Sequence, residues 1–146
     1  MTEQTVRDAM VPEPTTLLAS ASAQEAGRCF ADTPEVRAVF VTEDDGRLLG
    51  VVTRKTLVRG VVAAGLDPRA VTLRQIVEPP YHTLDAGLGL DAAFRFLEQE
   101  DLERVPVVEE GGRLVGVLSR AVVGRRLAED EPPEEPDDSE SGPVVL

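Results

Sequence analysis

Thr53-Arg54 and Ser119-Arg120 pair the same residue types 66 positions apart, each after a short apolar run. A hydroxyl at a helix start accepts a backbone N–H, and the free N–H groups of the first turn favour an anion. Thr53 and Ser119 therefore read either as helix caps alone or as caps that also help to hold an anion. Arg54 and Arg120 would add positive charge at the same helix ends. A first-turn cation opposes the helix dipole, and a nearby anion would ease that cost by about a few tenths of a kcal/mol. Arg37 and Arg104, 67 apart, each precede a predicted hairpin. A guanidinium is planar, and its donor fork matches phosphate or carboxylate oxygens. These two arginines either meet an anionic ligand or pair with the adjacent Glu35 and Glu103. The other reactive types are sparse. Cys29 is the one cysteine and His82 the one histidine, which excludes an internal disulfide, a cysteine cluster and a histidine-based metal centre. No nucleophile sits beside a base, and no spaced carboxylate pair asks to be catalytic. The expectation is a protein with no catalytic and no metal-ligating residues.

The elements that must position these residues come in two copies. Thr5-Val6-Arg7 recurs as Thr72-Leu73-Arg74 and Thr16-Leu17 as Thr83-Leu84, both at an offset of 67. Gly46-Arg47-Leu48-Leu49-Gly50-Val51-Val52-Thr53-Arg54 recurs as Gly112-Arg113-Leu114-Val115-Gly116-Val117-Leu118-Ser119-Arg120 at 66, one residue being lost in the Glu43-Asp44-Asp45 turn. A long period present twice means two similar supersecondary units. Neither would be comfortable alone at that size, so the two are expected to share a core. Leu90, Ala93, Phe94 and Leu97 form a helical stripe, as do Ala23, Ala26 and Phe30 after a Ser22–Glu25 capping box. Ala38–Val41 and Leu48–Val52 read as a hairpin around Asp44-Asp45-Gly46. Val105–Val108 and Arg113–Leu118 read as another around Glu109-Glu110-Gly111-Gly112. Helices follow, to about Ala63 and Leu127. Each unit is thus β-α-β-β-α: an α/β (α+β) chain of tandem repeats packed sheet to sheet with pseudo-two-fold symmetry. The expected divisions are repeat one at 5–64, a linker at 65–71, repeat two at 72–127 and a tail at 128–146.

Of 146 residues, 42% are apolar and 3% aromatic, so the core must be built of Val, Leu and Ala. All 15 basic residues precede residue 128, whereas eight of the 27 acids and no base fall in 128–146. The formal charge of -12 is thus mostly the tail's. That Glu, Asp, Pro and Ser-rich segment reads as disordered, because it cannot bury enough apolar area to offset its ordering entropy. Its last four residues, Pro143-Val144-Val145-Leu146, read either as a frayed end or as a docking peptide. Without a dense basic patch, nucleic acid is not the expected main partner. No run of eighteen apolar residues asks for a membrane span, and the start shows no signal-peptide pattern. A cytoplasmic location is expected.

Two β-α-β-β-α units resemble a CBS domain pair, or Bateman module. The resemblance rests on Arg7-Asp8-Ala9-Met10 with its following Pro, on Arg104-Val105-Pro106-Val107-Val108, and on Gly50-Val51-Val52-Thr53 with Gly116-Val117-Leu118-Ser119. It covers about 5–64 and 72–127. It implies a regulatory, non-enzymatic ligand sensor that needs no cofactor and binds AMP, ADP, ATP or S-adenosylmethionine between the copies. It also implies dimers and, with no effector domain attached, a separate effector protein. The implied ligand set is Arg37 and Arg104 at phosphate, and Thr53 and Ser119 near ribose and phosphate. Arg54 and Arg120 lie beside them, and Thr16 and Thr83 on the strands that face the base. Tyr81 would stack on a ring. His82 would titrate or meet phosphate, unless it is merely a strand-edge histidine.

The pattern also departs from the family. The family's Asp that accepts from both ribose hydroxyls is Thr56 in copy one and Val122 in copy two. A charge-assisted bond of that kind is worth about 1.5–3 kcal/mol. Its loss favours a competing reading, a protein-interaction module that has given up its ligand. Copy one has Val39 where the family often has Pro, a change that concerns packing. A homodimer would use apolar residues of the closing helices: Leu57, Val58, Val61 and Val62, and Val122, Val123 and Leu127.

Overall fold

The computed structural model describes residues 4–12, 14–80 and 82–130. Repeat one supplies helix α1 (Val6–Ala9), strand β1 (Val11–Pro12), strand β2 (Thr16–Leu18), helix α2 (Ala23–Asp32), the hairpin β3 (Val39–Thr42) and β4 (Leu48–Val52), and helix α3 (Arg54–Leu57). Repeat two supplies helix α4 (Leu73–Ile76), strand β5 (Leu84–Asp85), helix α5 (Leu90–Gln99), the hairpin β6 (Arg104–Glu109) and β7 (Arg113–Ser119), and helix α6 (Arg120–Asp130). The α-helix α6 thus runs three residues into the segment expected as tail. The remaining tail, including Pro143-Val144-Val145-Leu146, lies outside the described residues, as does Tyr81.

Local chemistry explains the elements. Ser22 accepts from the Glu25 N–H at 3.2 Å while the Glu25 carboxylate accepts from the Ser22 N–H at 2.9 Å, so the expected capping box closes. Gly46 at φ 91 turns the first hairpin, and Gly111 at φ 72 with Gly112 at φ 84 turn the second. Those conformations suit glycine alone. The closing helix of repeat one is not the regular helix expected to Ala63. After Leu57 it widens into a π-helical stretch, Val58–Val62, with the Ala63 N–H on the Val58 carbonyl at 2.7 Å. Gly60 lies there against α4, where a Cβ would meet Ile76 Cγ2 at 2.9 Å.

The sheets run β1-β7-β6-β5 and β2-β3-β4. In each, the first strand of the β-α-β-β unit is parallel to the next, β2 to β3 and β5 to β6, and the hairpin is antiparallel. The single shared core expected from size is replaced by two main clusters, each completed by the other repeat, and a small third one of Ala23, Val61 and Val71. Val6 and Ala9 from α1 pack with Leu84, Leu90, Leu97, Val107 and Leu118 of repeat two. Leu73 from α4, fully buried, packs with Ala26, Phe30, Val39, Val41 and Val52 of repeat one. The leading segments have been exchanged, and this is how two small units escape poor surface-to-volume ratios.

Hydrogen bonds follow the same exchange. The Val6 and Arg7 N–H groups donate to Leu88 and Ala86 carbonyls, and those of Leu73 and Arg74 to Ala21 and Ala19. The Val11 strand pairs with Val117, and Glu78 makes the equivalent antiparallel bridge with Val51. Ion pairs tie each exchanged helix to the opposite hairpin turn, Arg7 to Glu109 and Arg74 to Glu43 at 2.6 Å.

The hydrogen bond from Arg74, ahead of its charge, holds the Glu43 carboxyl below its ordinary value of 4.5. A depressed carboxylate stabilises the fold above its unfolded pKa, and that contribution is lost as pH falls through the folded value. In urea titrations, the stability gap between wild type and Arg74→Ala is therefore expected to close as pH drops below 4.5. A gap that stays constant to pH 2 would contradict the bridge.

Candidate functional site

Along β3, Val39 and Val41 point into the core of repeat one, so alternation turns Phe40 to the opposite face. In β6, Val105 and Val107 face their core and Pro106 faces away. The outward faces meet. Phe40 and Val51 from one sheet, with Pro106, Val117 and Val11 from the other, floor a cleft of about 450 Å³. That volume is within the range of small-molecule sites, roughly 300–1,000 Å³. Its polar residues are Thr15, Glu35, Arg37, Arg104 and Ser119.

Arg37 and Arg104 thus converge on one cleft from pseudo-equivalent positions. Neither makes a hydrogen bond or ion pair with any described residue. The alternative partners are accounted for. Glu103 is taken by Arg120 at 2.7 Å, and Glu35 lines the cleft without forming an ion pair. Ser119 is the cross-strand neighbour of Arg104 and caps α6 through a 3.5 Å contact from the Val122 N–H. Two guanidiniums without a partner among the described residues, with a helix-start hydroxyl over an apolar floor, suit a flat apolar body that carries an anion.

The other expected residues go elsewhere. Arg54 donates to the carbonyls of Val36 at 2.9 Å, Pro34 at 3.0 Å and Phe30 at 3.3 Å, and its guanidinium lies 4.9 Å from the Phe30 ring centre. Arg120 is spent on Glu103 and, at 3.4 Å, on Asp101. The hydrogen bond that Arg120 donates to the Glu103 carboxylate is the main cause that raises the Arg120 pKa. Neither Arg54 nor Arg120 lines the cleft: both hold loops, with carbonyl and carboxylate oxygens occupying the fork. Thr53 caps α3 by accepting the Thr56 N–H at 3.3 Å. Thr56 is buried at 4% exposure; its hydroxyl accepts the Thr53 N–H at 3.0 Å and lies 2.6 Å from Glu78 Oε1, to which it donates. Thr56 faces a different depression, of about 660 Å³, with Glu78 and Asp67. Thr16 lines a third, beside Thr42 and Gly46. Thr83 is exposed. His82 is half-buried, edge-on to Phe96 at 5.2 Å between ring centres.

Sequence reading missed Phe40, Val51, Pro106 and Val117 as a binding floor. The available signal was the unbroken apolar run Val39-Phe40-Val41, which a one-sided sheet would not require; the structure buries β3 on both faces.

A family model for the CBS domain matches residues 6–63 and 73–123. The chain belongs to the CBS domain family. CBS domains are generally regulatory and non-catalytic. Hypoxic response protein 1 of Mycobacterium tuberculosis (strain ATCC 25618 / H37Rv) is 33% identical over 95 residues, which are 65% of this chain and 66% of that protein. The match thus spans just under two thirds of the relative's length. The crystal structure of Hypoxic Response Protein I with two coordinated zinc ions has TM-score 0.69 and 29% identity, covering 84% of this chain and 98% of that chain. CBSX2 in complex with AMP has TM-score 0.67 and 24% identity, with 86% and 96% covered. The CBS domain pair of MJ0100, in complex with 5'-methylthioadenosine and S-adenosyl-L-methionine, has TM-score 0.64 and 18% identity, with 89% and 100% covered. The last two likenesses establish the fold. The zinc ions are those of Hypoxic Response Protein I; among the described residues of this CBS pair, no three His, Cys, Asp or Glu side chains group as metal ligands. No helix among the described residues is long and apolar enough to cross a membrane.

Proposed function

We propose that this CBS pair is a non-catalytic sensor whose central cleft binds an anionic small molecule, an adenosine nucleotide before all others. The carrying observation is the pair of guanidiniums, Arg37 and Arg104, that have no partner among the described residues and lie over one apolar floor. The adenosine ligands of CBSX2 and MJ0100 make AMP, ATP and S-adenosylmethionine the first probes. No cofactor is required, the working compartment is the cytoplasm where such ligands occur, and occupancy is read by a separate effector protein. Calorimetry with ATP is expected to give micromolar binding that Arg104→Ala weakens about tenfold to a hundredfold. Absence of heat from AMP, ATP and S-adenosylmethionine at millimolar concentration would sink this reading.

One observation favours the second reading, a protein-interaction module without ligand. At the position that should accept from ribose, the Thr56 hydroxyl is committed to Glu78, and Val122 has no acceptor.

We further propose a homodimer through repeat one. Val61 and Val123 of the expected stripes are core, but Val58, Val62 and Leu66 remain 54%, 72% and 51% exposed. Val62 and Leu66 border an apolar groove of about 400 Å³ against α2. A two-fold axis beside this stripe would set it against its own copy. Light scattering is expected to give twice the chain mass for wild type and the chain mass for Val62→Asp. A monomeric wild type would refute the dimer.

A further inference from the structure

Arg54 and Arg120 occupy equivalent places, and both grip the segment that ends at a cleft arginine. In repeat one, Arg54 Nη1 donates to the carbonyl of Val36, the residue before Arg37, and Nη2 donates to Pro34 and Phe30. Its flat cation also lies against the Phe30 ring. In repeat two, Arg120 Nη2 donates to the carboxylate of Glu103, the residue before Arg104, and the Arg120 backbone N–H donates to the Glu103 carbonyl at 2.9 Å. Its Nη1 reaches Asp101, which holds a φ of 55, a backbone state that costs a non-glycine residue energy. The grips differ in charge. Arg120 is offset by two carboxylates, whereas Arg54 meets only neutral carbonyls. A rotamer-rich arginine on a loose loop pays ordering entropy when it binds, and a fixed loop lowers that cost.

We infer that Arg54 and Arg120 are positioning residues: each clamps the loop that presents Arg37 or Arg104 to the cleft, and neither touches the anion. This rests on the anion-cleft reading. Five donors in a rigid fork can bridge three carbonyls, which a lysine ammonium on a flexible stem does poorly at the same charge. Arg54→Lys is therefore the informative variant. The asymmetry adds a second expectation. At Arg120→Lys the ammonium keeps its attraction to Glu103 and Asp101, so that change is the milder of the two.

The test combines ATP calorimetry with amide hydrogen exchange on the full chain, for wild type, Arg54→Lys, Arg120→Lys and Arg37→Ala. Arg54→Lys is expected to speed exchange of the Thr33 and Val36 amides and to weaken ATP about tenfold despite unchanged charge. Arg37→Ala is expected to weaken ATP while leaving those amides protected. Faster exchange with unaltered ATP affinity would make the clamp structural only and overturn the inference. Weaker ATP with unaltered exchange would make Arg54 a direct contact and overturn it too. If wild type binds no ATP, the cleft reading falls and the positioning role with it, while the exchange data still report whether Arg54 grips the loop.

Discussion

Gly50→Ala is expected to lower the stability of the fold by about 3 kcal/mol, at the upper end of overpacking costs. A Cβ at Gly50 would lie 2.0 Å from the Glu78 carbonyl oxygen and 2.8 Å from its carbonyl carbon. Both are backbone atoms of the exchanged segment, held by the Val51 N–H at 2.8 Å and its carbonyl at 3.0 Å. The segment cannot retreat without losing those two bonds. Alanine gains about 0.4–1 kcal/mol by restricting the unfolded chain, too little to offset the clash. The equivalent Gly116→Ala meets Met10 Sδ at 2.7 Å and the Val11 carbonyl oxygen at 2.8 Å. The thioether end moves easily and the backbone oxygen lies at 2.8 Å rather than the 2.0 Å met at Gly50, so this variant should lose less. In thermal unfolding, Gly50→Ala is expected to melt roughly 6–12 °C lower, with Gly116→Ala between it and wild type. Equal melting of all three proteins would contradict the exchanged-strand architecture.

If the cleft takes an adenosine nucleotide as proposed, affinity is expected to rise steeply with the number of phosphates. The acceptor that the family pattern offers to ribose is missing from the cleft: Thr56 faces a different depression and donates to Glu78, and the Val122 side chain has no acceptor. The anion side keeps two guanidiniums with no partner among the described residues. Each new charge-assisted bond contributes about 1.5–3 kcal/mol, more than a stacked ring on an apolar floor gains over its neighbours. Calorimetry is expected to show adenosine silent at millimolar concentration, AMP binding weakly and ATP about a hundredfold tighter than AMP. S-adenosylmethionine, whose sulfonium carries the opposite charge near the ribose, should rank below ATP. These differences should shrink from 50 to 500 mM salt, because the two arginines are exposed and screened. Equal affinity for adenosine and ATP would place the ligand away from Arg37 and Arg104.

The sequence was legible where chemistry is local. The Ser22–Glu25 box, the Thr53 cap, the glycine turns and the stripe Leu90, Ala93, Leu97 depend on neighbours a few residues away, and each formed as expected. The exchange of α1 and α4 was not legible. Val6 and Leu73 are apolar in equivalent positions, so either core would accept either residue, and periodicity does not choose between them. The cleft arginines were found by type and spacing, but so were Arg54 and Arg120. Only the position of the carbonyls of Phe30, Pro34 and Val36 tells which guanidiniums are already spent. Thr56 was read from a pattern in which its position faces ribose. Glu78, brought in by the exchange, takes its hydroxyl instead.

The central claim is that Arg37 and Arg104 hold one anion together in one cleft. A double-mutant cycle in ATP calorimetry tests it most directly, with Arg37→Ala, Arg104→Ala and the double variant. Each single change is expected to weaken ATP at least about tenfold, and the double to lose less than the two losses combined, since residues sharing a partner couple by about 0.5–3 kcal/mol. Single variants that bind ATP as wild type does, or losses that add without coupling, would contradict a shared anion.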